Sequence, residues 1–327
     1  MKYTQIALLH KYGLAIRGFR GQHLLVDPNI QRKIVELVHP KPKEWILEIG
    51  PGLGALTGKI LEAGAQVIAV EKDRRFCGIL EAELGAQSKG RLRIENADIL
   101  KTDLTSLRGG GKEIPRPSLR VPRSGAKQSL GLGTGSAILS EIASPAKKRG
   151  GLAMTGKAGL KVVSNLPYYI TSPVLFWLIE NRARIEKAVL MMQREVANRL
   201  LAQPGEKDYG RLTLAVRYYA DTHKAFHVSR NCFIPRPDVD STVVTLEFHP
   251  SSKFPKGIDE DFLFHLIQTA FGARRKTLLN RLAGDPQIAK SRAELLELFG
   301  ELKIPEKSRA EDLLLKDFIV LAGYLKS

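Results

Sequence analysis

A short polar and aromatic stretch follows an apolar run near the middle of the chain. Val162 to Ser164 is typical of a buried strand, and the next four residues read N-L-P-Y. A turn at this point needs only the proline. An amide, a rigid ring and a flat aromatic side chain at a strand end also suit a pocket for a planar amine. The candidate catalytic residues are therefore Asn165, Leu166, Pro167 and Tyr168.

Glycines mark a second candidate site after an earlier apolar strand. Residues 45–57 read W-I-L-E-I-G-P-G-L-G-A-L-T, which combines a strand, a glycine turn and a helix start. Gly50, Gly52 and Gly54 allow a tight turn and a close approach to a ligand, and the helix N-terminus favours a negative group. Glu71 follows about twenty residues later, at a strand end where a carboxylate can accept hydrogen bonds from both ribose hydroxyls. This pattern fits a nicotinamide dinucleotide and S-adenosylmethionine equally.

The stretch A-D-I-L, residues 97–100, helps to separate these two cofactors. Asp98 can accept a hydrogen bond from an adenine amino group, and Ile99 can pack against the ring face. An aspartate at such a place is more often a helix cap or a turn former. Asp98 is nevertheless a candidate cofactor contact, because the glycine turn, Glu71, Asp98 and Asn165 follow one another in this order along the chain.

Strands that alternate with helices must position these residues. Apolar runs predict strands at 45–49, 66–71, 91–95, 161–164, 188–192, 223–228 and 242–248. Asp27-Pro28 and Ser172-Pro173 each resemble a helix N-cap followed by proline, and Asp73 can cap a further helix. Alternation of this kind is typical of βαβ units and a largely parallel α/β sheet.

Two segments depart from the alternation. The pattern after residue 255 is helical only, so we predict a cofactor-binding domain over 1–254 and a small helical domain over 255–327.

Residues 108–159 are rich in Gly, Ser, Pro, Lys and Arg, which predicts a disordered insert or a functional appendage. Residues 105–161 contain eleven Lys or Arg and two Glu. The insert is thus either a tolerated solvated loop or an arm that folds on RNA.

The composition indicates a polyanionic partner. The chain has 327 residues with 43% hydrophobic content, and its 51 Lys and Arg against 34 Asp and Glu give a formal charge of +17. This excess favours nucleic acid over a merely basic surface. Cys77 and Cys232 lack disulfide or zinc spacing, so we predict free thiols and no metal site. Because the apolar run Ile6 to Leu9 is too short for a signal peptide or a membrane span, we expect a soluble cytoplasmic protein.

Several stretches together resemble the ribosomal RNA adenine dimethylase family, KsgA type. In chain order they are G-Q-H-L-L-V-D (21–27), E-I-G-P-G-L-G-A-L-T (48–57), Glu71, A-D-I-L (97–100), N-L-P-Y (165–168), Q-R-E-V-A-N-R-L (193–200), F-I-P-R-P-D-V-D-S (233–241) and F-G-A-R-R-K-T-L-L-N (271–280). N-L-P-Y and F-G-A-R-R-K-T-L-L-N are far more specific than a glycine motif. The resemblance covers nearly the whole chain except the insert.

This resemblance implies a class I methyltransferase fold, which has a Rossmann-like seven-stranded sheet with its last strand antiparallel, followed by a helical C-terminal domain. It implies S-adenosylmethionine as the methyl donor. The positions that correspond to cofactor contacts are His23, Leu25, Gly50, Gly52, Glu71, Asp98, Ile99 and Asn165. One departure is that His23 and Leu24 stand where the family commonly has Asn and Phe.

The resemblance also implies roles on the substrate side. The side-chain oxygen of Asn165 and the backbone carbonyl of Leu166 would accept the two N6 hydrogens of adenine. Tyr168 would stack on the base, and Phe233 would cover its opposite face. The positions for contacts with RNA phosphates are Arg274, Arg275 and Lys276, with Arg194 and Arg199 as weaker candidates.

We therefore expect an enzyme that N6,N6-dimethylates two adjacent adenosines in the 3′-terminal hairpin loop of 16S ribosomal RNA. It would act as a monomer on a small-subunit assembly intermediate. Two alternatives remain, a large-subunit (23S) adenine methyltransferase of the macrolide-resistance type and an assembly factor with secondary catalysis. A DNA adenine methyltransferase is disfavoured, because those enzymes typically carry an acidic residue where Asn165 stands. A nicotinamide dehydrogenase is disfavoured because no hydride-transfer constellation is identifiable.

Overall fold

The computed structural model describes residues 4–14, 23–107, 159–249, 257–273 and 275–326. Strands and helices alternate up to residue 249, and the regular elements described after that residue are all helical. Apart from Gly159, the insert predicted at 108–159 lies outside the described residues, as does the boundary predicted between 254 and 255. The division into two domains therefore stays a prediction.

Seven strands form one sheet. These strands are β2 (Trp45–Ile49), β3 (Gln66–Glu71), β4 (Leu92–Asn96), β5 (Leu160–Asn165), β6 (Ile185–Gln193), β7 (Ala220–Val228) and β9 (Ser241–Phe248). Their spatial order is β4-β3-β2-β5-β6-β9-β7. β9 pairs antiparallel with both β6 and β7, and the other neighbouring strands in this sheet pair in parallel. The expected seven-stranded sheet with an antiparallel last strand is confirmed.

The order of strands creates a crevice for a ligand. The chain runs outward from β2 to β3 and β4, and it then returns to place β5 on the other side of β2. Ligands of open α/β sheets bind beyond the carboxyl ends of the strands at such a reversal. The carboxyl ends here are Ile49, Glu71, Asn96 and Asn165. The glycine turn, Glu71 and N-L-P-Y therefore meet at one edge of the sheet.

Helices cover the sheet and complete the chain. They are α1 (Gln5–Lys11), α2 (Pro28–Val38), α3 (Ala55–Glu62), α4 (Arg74–Leu80), α5 (Ala86–Ser88), α6 (Leu104–Leu107), α7 (Thr171–Glu180), α8 (Arg194–Leu201), α9 (Arg211–Tyr219), α10 (Glu260–Ala270), α11 (Leu278–Leu282), α12 (Arg292–Glu301) and α13 (Leu315–Lys326). A π-helical turn, Glu81–Gly85, joins α4 to α5. Two further strands, β1 (Leu24–Leu25) and β8 (Phe233–Ile234), pair with each other.

Helix caps show where local sequence rules succeed. Asp27 caps α2 by accepting hydrogen bonds from the backbone N–H groups of Asn29 and Ile30, and Asp73 caps α4. The prediction that Ser172 is an N-cap is wrong, because α7 begins at Thr171 directly after a 3₁₀ turn. Pro173 is then the third helical residue, which is tolerated because the first-turn N–H groups have no partner within the helix.

The C-terminal helices share their core with the sheet. One buried hydrophobic cluster runs from Leu47 and Val162 in the sheet to Leu266 and Leu321 in α10 and α13. Tyr209 strengthens this packing, since its hydroxyl donates to the carbonyl of Leu313 at 2.9 Å. The helices after residue 257 therefore belong to the same hydrophobic core as the sheet and its helices.

Candidate active site

The carboxyl ends of β2, β3, β4 and β5 surround a cavity of about 1070 Å³. Each predicted cofactor or catalytic residue lines this cavity. These residues are His23, Leu25, Gly50, Gly52, Glu71, Asp98, Ile99, Asn165, Leu166, Pro167, Tyr168 and Phe233. The structure thus brings together residues that lie up to 210 positions apart in the chain, since His23 and Phe233 both belong to this set.

The glycine turn lies across the end of β2. Gly50 and Gly52 have φ angles of +66° and +56°, values that L side chains rarely adopt. A Cβ atom at Gly52 would also stand 3.3 Å from the side chain of Leu24. Gly54, at φ +79°, is the N-cap of α3. Backbone conformation therefore explains why glycine occupies these positions.

Glu71 joins the glycine turn to the next helix. One carboxylate oxygen accepts the N–H of Gly52 at 3.2 Å, and the other accepts the N–H of Asp73 at 2.8 Å. Burial raises the pKa of Glu71 above its ordinary value, against backbone hydrogen bonds that lower it. The side chain is 8% exposed. It stands as a fixed acceptor at the cavity wall.

Asp98 serves both as a cap and as part of the cavity wall. It caps a 3₁₀ turn, Ile99–Lys101, by accepting the N–H of Leu100 at 3.2 Å. Its second carboxylate oxygen lies 2.9 Å from the ammonium nitrogen of Lys72. Partial burial acts to raise the pKa of Asp98, but the bonds from Lys72 and Leu100 together hold it below its ordinary value. The side chain is thus an anionic acceptor next to Ile99.

Glu48 is a cavity residue to which the sequence patterns assigned no role. It is 1% exposed, and the hydroxyl of Thr57 donates to it at 2.5 Å. Burial is the main cause that raises the pKa of Glu48 to about 7, and the charge of Glu71 adds to the effect. A single acidic residue inside the apolar run W-I-L-E-I was the signal that could have found it.

Asn165 ends β5 with its amide held in one orientation. Its Nδ2 donates to the backbone carbonyl of His23 at 3.1 Å, which turns Oδ1 away from that carbonyl. The next residue, Leu166, is fixed by its own N–H, which donates to the carbonyl of Met191 at 3.0 Å. The structure therefore presents a carbonyl-type acceptor where the strand opens into the cavity.

An N-terminal segment closes this side of the cavity. Nδ1 of His23 donates to the carbonyl of Pro235 at 2.7 Å, and the His23 and Tyr168 rings lie 5.4 Å apart with a 33° tilt. The hydroxyl of Tyr168 lies 3.3 Å from Oγ of Ser241. Burial raises the pKa of Tyr168 above its ordinary value. His23 thus contacts the backbone of Pro235 and packs beside the Tyr168 ring, which lines the cavity.

Phe233 reaches the cavity through the pairing of β1 with β8. Leu25 and Phe233 are opposite each other in this two-stranded pair. The Phe233 side chain is 3% exposed and packs with Val163 and Met191. It belongs to the wall of the cavity and is supported by the main sheet.

The basic candidates lie elsewhere. Arg275 and Lys276 are in the turn between α10 and α11, and neither lines the cavity. Arg274 lies outside the described residues. Arg194 and Arg199 are exposed but paired, at 3.7 Å from Asp240 and 2.6 Å from Glu195 respectively. A role for these residues in binding RNA stays a prediction.

Comparison with known proteins identifies the family. The model of the ribosomal RNA adenine dimethylase family matches residues 13–325. The chain belongs to this family. It is 34% identical over 322 residues to Ribosomal RNA small subunit methyltransferase A from Geobacillus sp. (strain WCH70), a match that covers 98% of this chain and 94% of the relative.

Two solved structures resemble the fold. A dimethyladenosine transferase from Plasmodium falciparum matches with a TM-score of 0.67 and 25% identity, over 93% of this chain and 97% of that one. The 23S rRNA methyltransferase ErmE matches with a TM-score of 0.61 and 20% identity, over 93% of this chain and 100% of that one. The class I methyltransferase fold is therefore confirmed.

Family membership makes the chain a ribosomal RNA adenine dimethyltransferase that uses S-adenosylmethionine. The residues present fit this cofactor. Glu71 and Asp98 place carboxylate acceptors in the cavity, which match the hydroxyl and amino donors of an adenosine, and Gly50 and Gly52 keep side chains away from the adjacent backbone. In the part of the chain that the structure describes, no helix is long and apolar enough to cross a bilayer.

Proposed function

We propose that this enzyme dimethylates N6 of two adjacent adenosines in the 3′-terminal hairpin loop of 16S ribosomal RNA. It acts as a cytoplasmic monomer on an assembly intermediate of the small subunit. The small-subunit name of the Geobacillus relative, which matches 98% of this chain, supports this substrate over 23S RNA. The observation that carries the chemistry is the amide of Asn165, oriented by the carbonyl of His23 within the cavity.

The cofactor half of the cavity is formed by the ends of β2, β3 and β4. Glu71 accepts hydrogen bonds from the ribose hydroxyls, and Asp98 accepts one from the adenine amino group. Ile99 and Leu25 supply apolar contacts to the adenosine. Backbone atoms at Gly50 and Gly52, with His23, bind the remainder of the cofactor. S-adenosylmethionine supplies an electrophilic methyl group when it is bound.

The substrate half is formed by N-L-P-Y. The lone pair on adenine N6 is delocalised into the ring, so the amine is a poor nucleophile. Asn165 Oδ1 and the carbonyl of Leu166 accept both N6 hydrogens and thereby hold the lone pair towards the methyl donor. Pro167 stiffens the turn. The methylated ammonium product is acidic enough to lose its proton to water, so no strong general base is required.

Recognition of RNA takes place around this cavity. The target adenine must leave its stack before it can enter, which costs least in a single-stranded loop. Tyr168 stacks on the inserted base, and the wall at Phe233 limits its opposite side. Arg274, Arg275 and Lys276 contact phosphates, which position the RNA without reading its sequence.

Replacement of Asn165 by alanine tests the chemistry. We expect Asn165→Ala to lower methyl transfer to unmethylated small subunits by roughly a hundredfold or more, because a preorganised acceptor is removed. RNA affinity stays nearly unchanged. The product is measured as N6-methylated and N6,N6-dimethylated adenosine by nucleoside mass spectrometry. Asn198→Ala, at an exposed position of α8, is the matched control.

Each outcome bears on a different part of the proposal. Full activity of Asn165→Ala would remove the role given to that residue. If the unaltered enzyme methylates only naked large-subunit RNA in a parallel reaction, the 23S alternative replaces the 16S substrate. Methylation of neither RNA, with RNA binding retained, favours an assembly factor.

A further inference from the structure

A second tyrosine lies beside Tyr168 at the opening of the cavity. Tyr169 lines the cavity, yet it is 59% exposed, more than any other large apolar side chain in the described parts of the chain. Solvent-exposed aromatic rings have a cost in water, because their apolar faces are not buried. Tyr169 therefore presents an exposed aromatic ring at the edge of the active site.

The two tyrosines differ in how they are held. The hydroxyl of Tyr168 lies 3.3 Å from Ser241 Oγ, and its ring lies 5.4 Å from that of His23. Both tyrosines belong to the 3₁₀ turn Tyr168–Ile170, in which successive side chains point about 120° apart. When Tyr168 lies along the wall, Tyr169 therefore points in a different direction, into solvent.

The backbone beneath Tyr169 is rigid. The N–H of Ile170 donates to the carbonyl of Pro167 at 3.1 Å, and α7 begins at Thr171. A ring carried on a fixed turn loses little conformational freedom when it binds a flat partner. In a chain with a formal charge of +17, the flat partner of matching chemistry is an unpaired nucleobase.

We propose that Tyr169 stacks on the nucleotide adjacent to the adenosine in the cavity. This inference rests on the proposed function, in which two neighbouring adenosines are modified in turn. Tyr169 holds one adenosine of the pair outside the cavity while Asn165 and Leu166 bind the other. The residue thereby determines how the loop is held between the two modifications, and it does not contact the reacting amine.

Kinetics of variants test this role. We expect Tyr169→Ala to raise KM for small subunits by roughly five- to 150-fold, the range that corresponds to removal of one base stack. Subunits modified at only one of the two adenosines should accumulate, as measured by mass spectrometry of the nuclease fragment that contains both. Tyr169→Phe keeps the ring and should restore the unaltered pattern, whereas Tyr169→Leu keeps bulk without a π-face and should resemble alanine.

A binding measurement separates this inference from the catalytic proposal. A hairpin RNA that carries 2-aminopurine next to the target adenosine should lose fluorescence on binding, since stacking quenches this base. Tyr169→Ala should abolish the quenching, and Tyr169→Phe should preserve it. Quenching that persists in Tyr169→Ala, or is absent with the unaltered enzyme, overturns the inference. Quenching by Tyr169 without any methylation of small subunits would leave the inference standing and contradict only the proposed function.

Discussion

Glu48 and Glu71 bring two carboxylates to neighbouring strands under the glycine turn. Glu71 has backbone N–H donors on both oxygens, whereas Glu48 accepts the hydroxyl of Thr57 and is almost fully buried. Burial disfavours the charged form of a carboxyl group, and a second negative charge nearby adds to this effect. The pKa of Glu48 therefore rises to about 7, within the range of ordinary working conditions.

This pKa predicts a pH-dependent stability. An acid whose pKa is raised on folding contributes stability below its unfolded value and loses it as pH rises through its folded value. The pKa of Glu48 rises from 4.5 to about 7, so the cofactor-free protein should lose up to about 3 kcal/mol of unfolding free energy across that range. Glu48→Gln should flatten this dependence. Compared with the unaltered protein at the same pH, the variant should therefore be more favourable in unfolding free energy at pH 8 than at pH 5.

Urea denaturation at pH 5 and pH 8 measures the effect. The control is Glu297→Gln at an exposed position of α12, which should shift the unfolding free energy similarly at both pH values. A Glu48→Gln protein with the same pH dependence as the unaltered protein would show that the Glu48 carboxyl does not titrate in this range.

At the scale of elements, α1 packs over the glycine turn. Gln5 donates its amide to the carbonyl of Leu53 at 3.3 Å and lines the cavity, while Leu8 is fully buried against Leu53. The end of the segment is tied to Glu83, which accepts the hydroxyl of Tyr12 at 2.6 Å and pairs with Lys11 at 2.5 Å. Glu83 lies in the π-helical turn after α4.

Removal of this tie should loosen α1. Glu83→Ala deletes the acceptor of both donors, and hydrogen bonds to a charged group contribute about 1.5–3 kcal/mol each when buried. Because Lys11 is half exposed, solvent screening weakens this tie, and we expect roughly two- to fivefold faster amide exchange in residues 4–14. Tyr12→Phe removes one donor and should have a smaller effect.

Hydrogen–deuterium exchange followed by mass spectrometry resolves this segment. Exchange in α13, whose core residues pack in a different hydrophobic cluster from Leu8, is the internal reference and should not change. Unaltered exchange across residues 4–14 in Glu83→Ala would mean that the apolar packing of Leu8 alone holds the helix.

At the scale of the whole molecule, charge is concentrated in one segment. Residues 105–161 carry eleven Lys or Arg and two Glu, about half of the formal charge of +17. Basic groups that neutralise phosphates release counterions, so RNA affinity falls with salt in proportion to their number.

Deletion of residues 109–157, joined by a Gly-Ser linker, tests its contribution to RNA binding. We expect a shallower dependence of log Kd on log salt, by about 0.7–0.9 for each phosphate that the shortened chain no longer neutralises. Affinity for hairpin RNA is measured at several salt concentrations. An unchanged slope would identify the segment as a bystander, and unchanged cofactor affinity serves as the control for folding.

Local patterns were sufficient for much of the sheet. The apolar runs of β2, β3 and β5 and the caps Asp27 and Asp73 depend on neighbours within about ten residues, so they could be predicted. Helices α8 and α9 were not predicted from the pattern of apolar residues. Both helices are stabilised by packing in the same hydrophobic core as the sheet and the C-terminal helices.

The family, the seven-stranded sheet and the class of cofactor could be inferred from the sequence, because short motifs in a fixed order and strand periodicity are visible without the fold. The folded structure was needed to show that His23 contacts Pro235, 212 residues away, and that Tyr168 and Tyr169 have different surroundings. It also decided the pKa of Glu48. Burial, pairing of distant segments and the field of neighbouring charges arise only when the folded chain excludes water, so adjacent residues alone could not supply them.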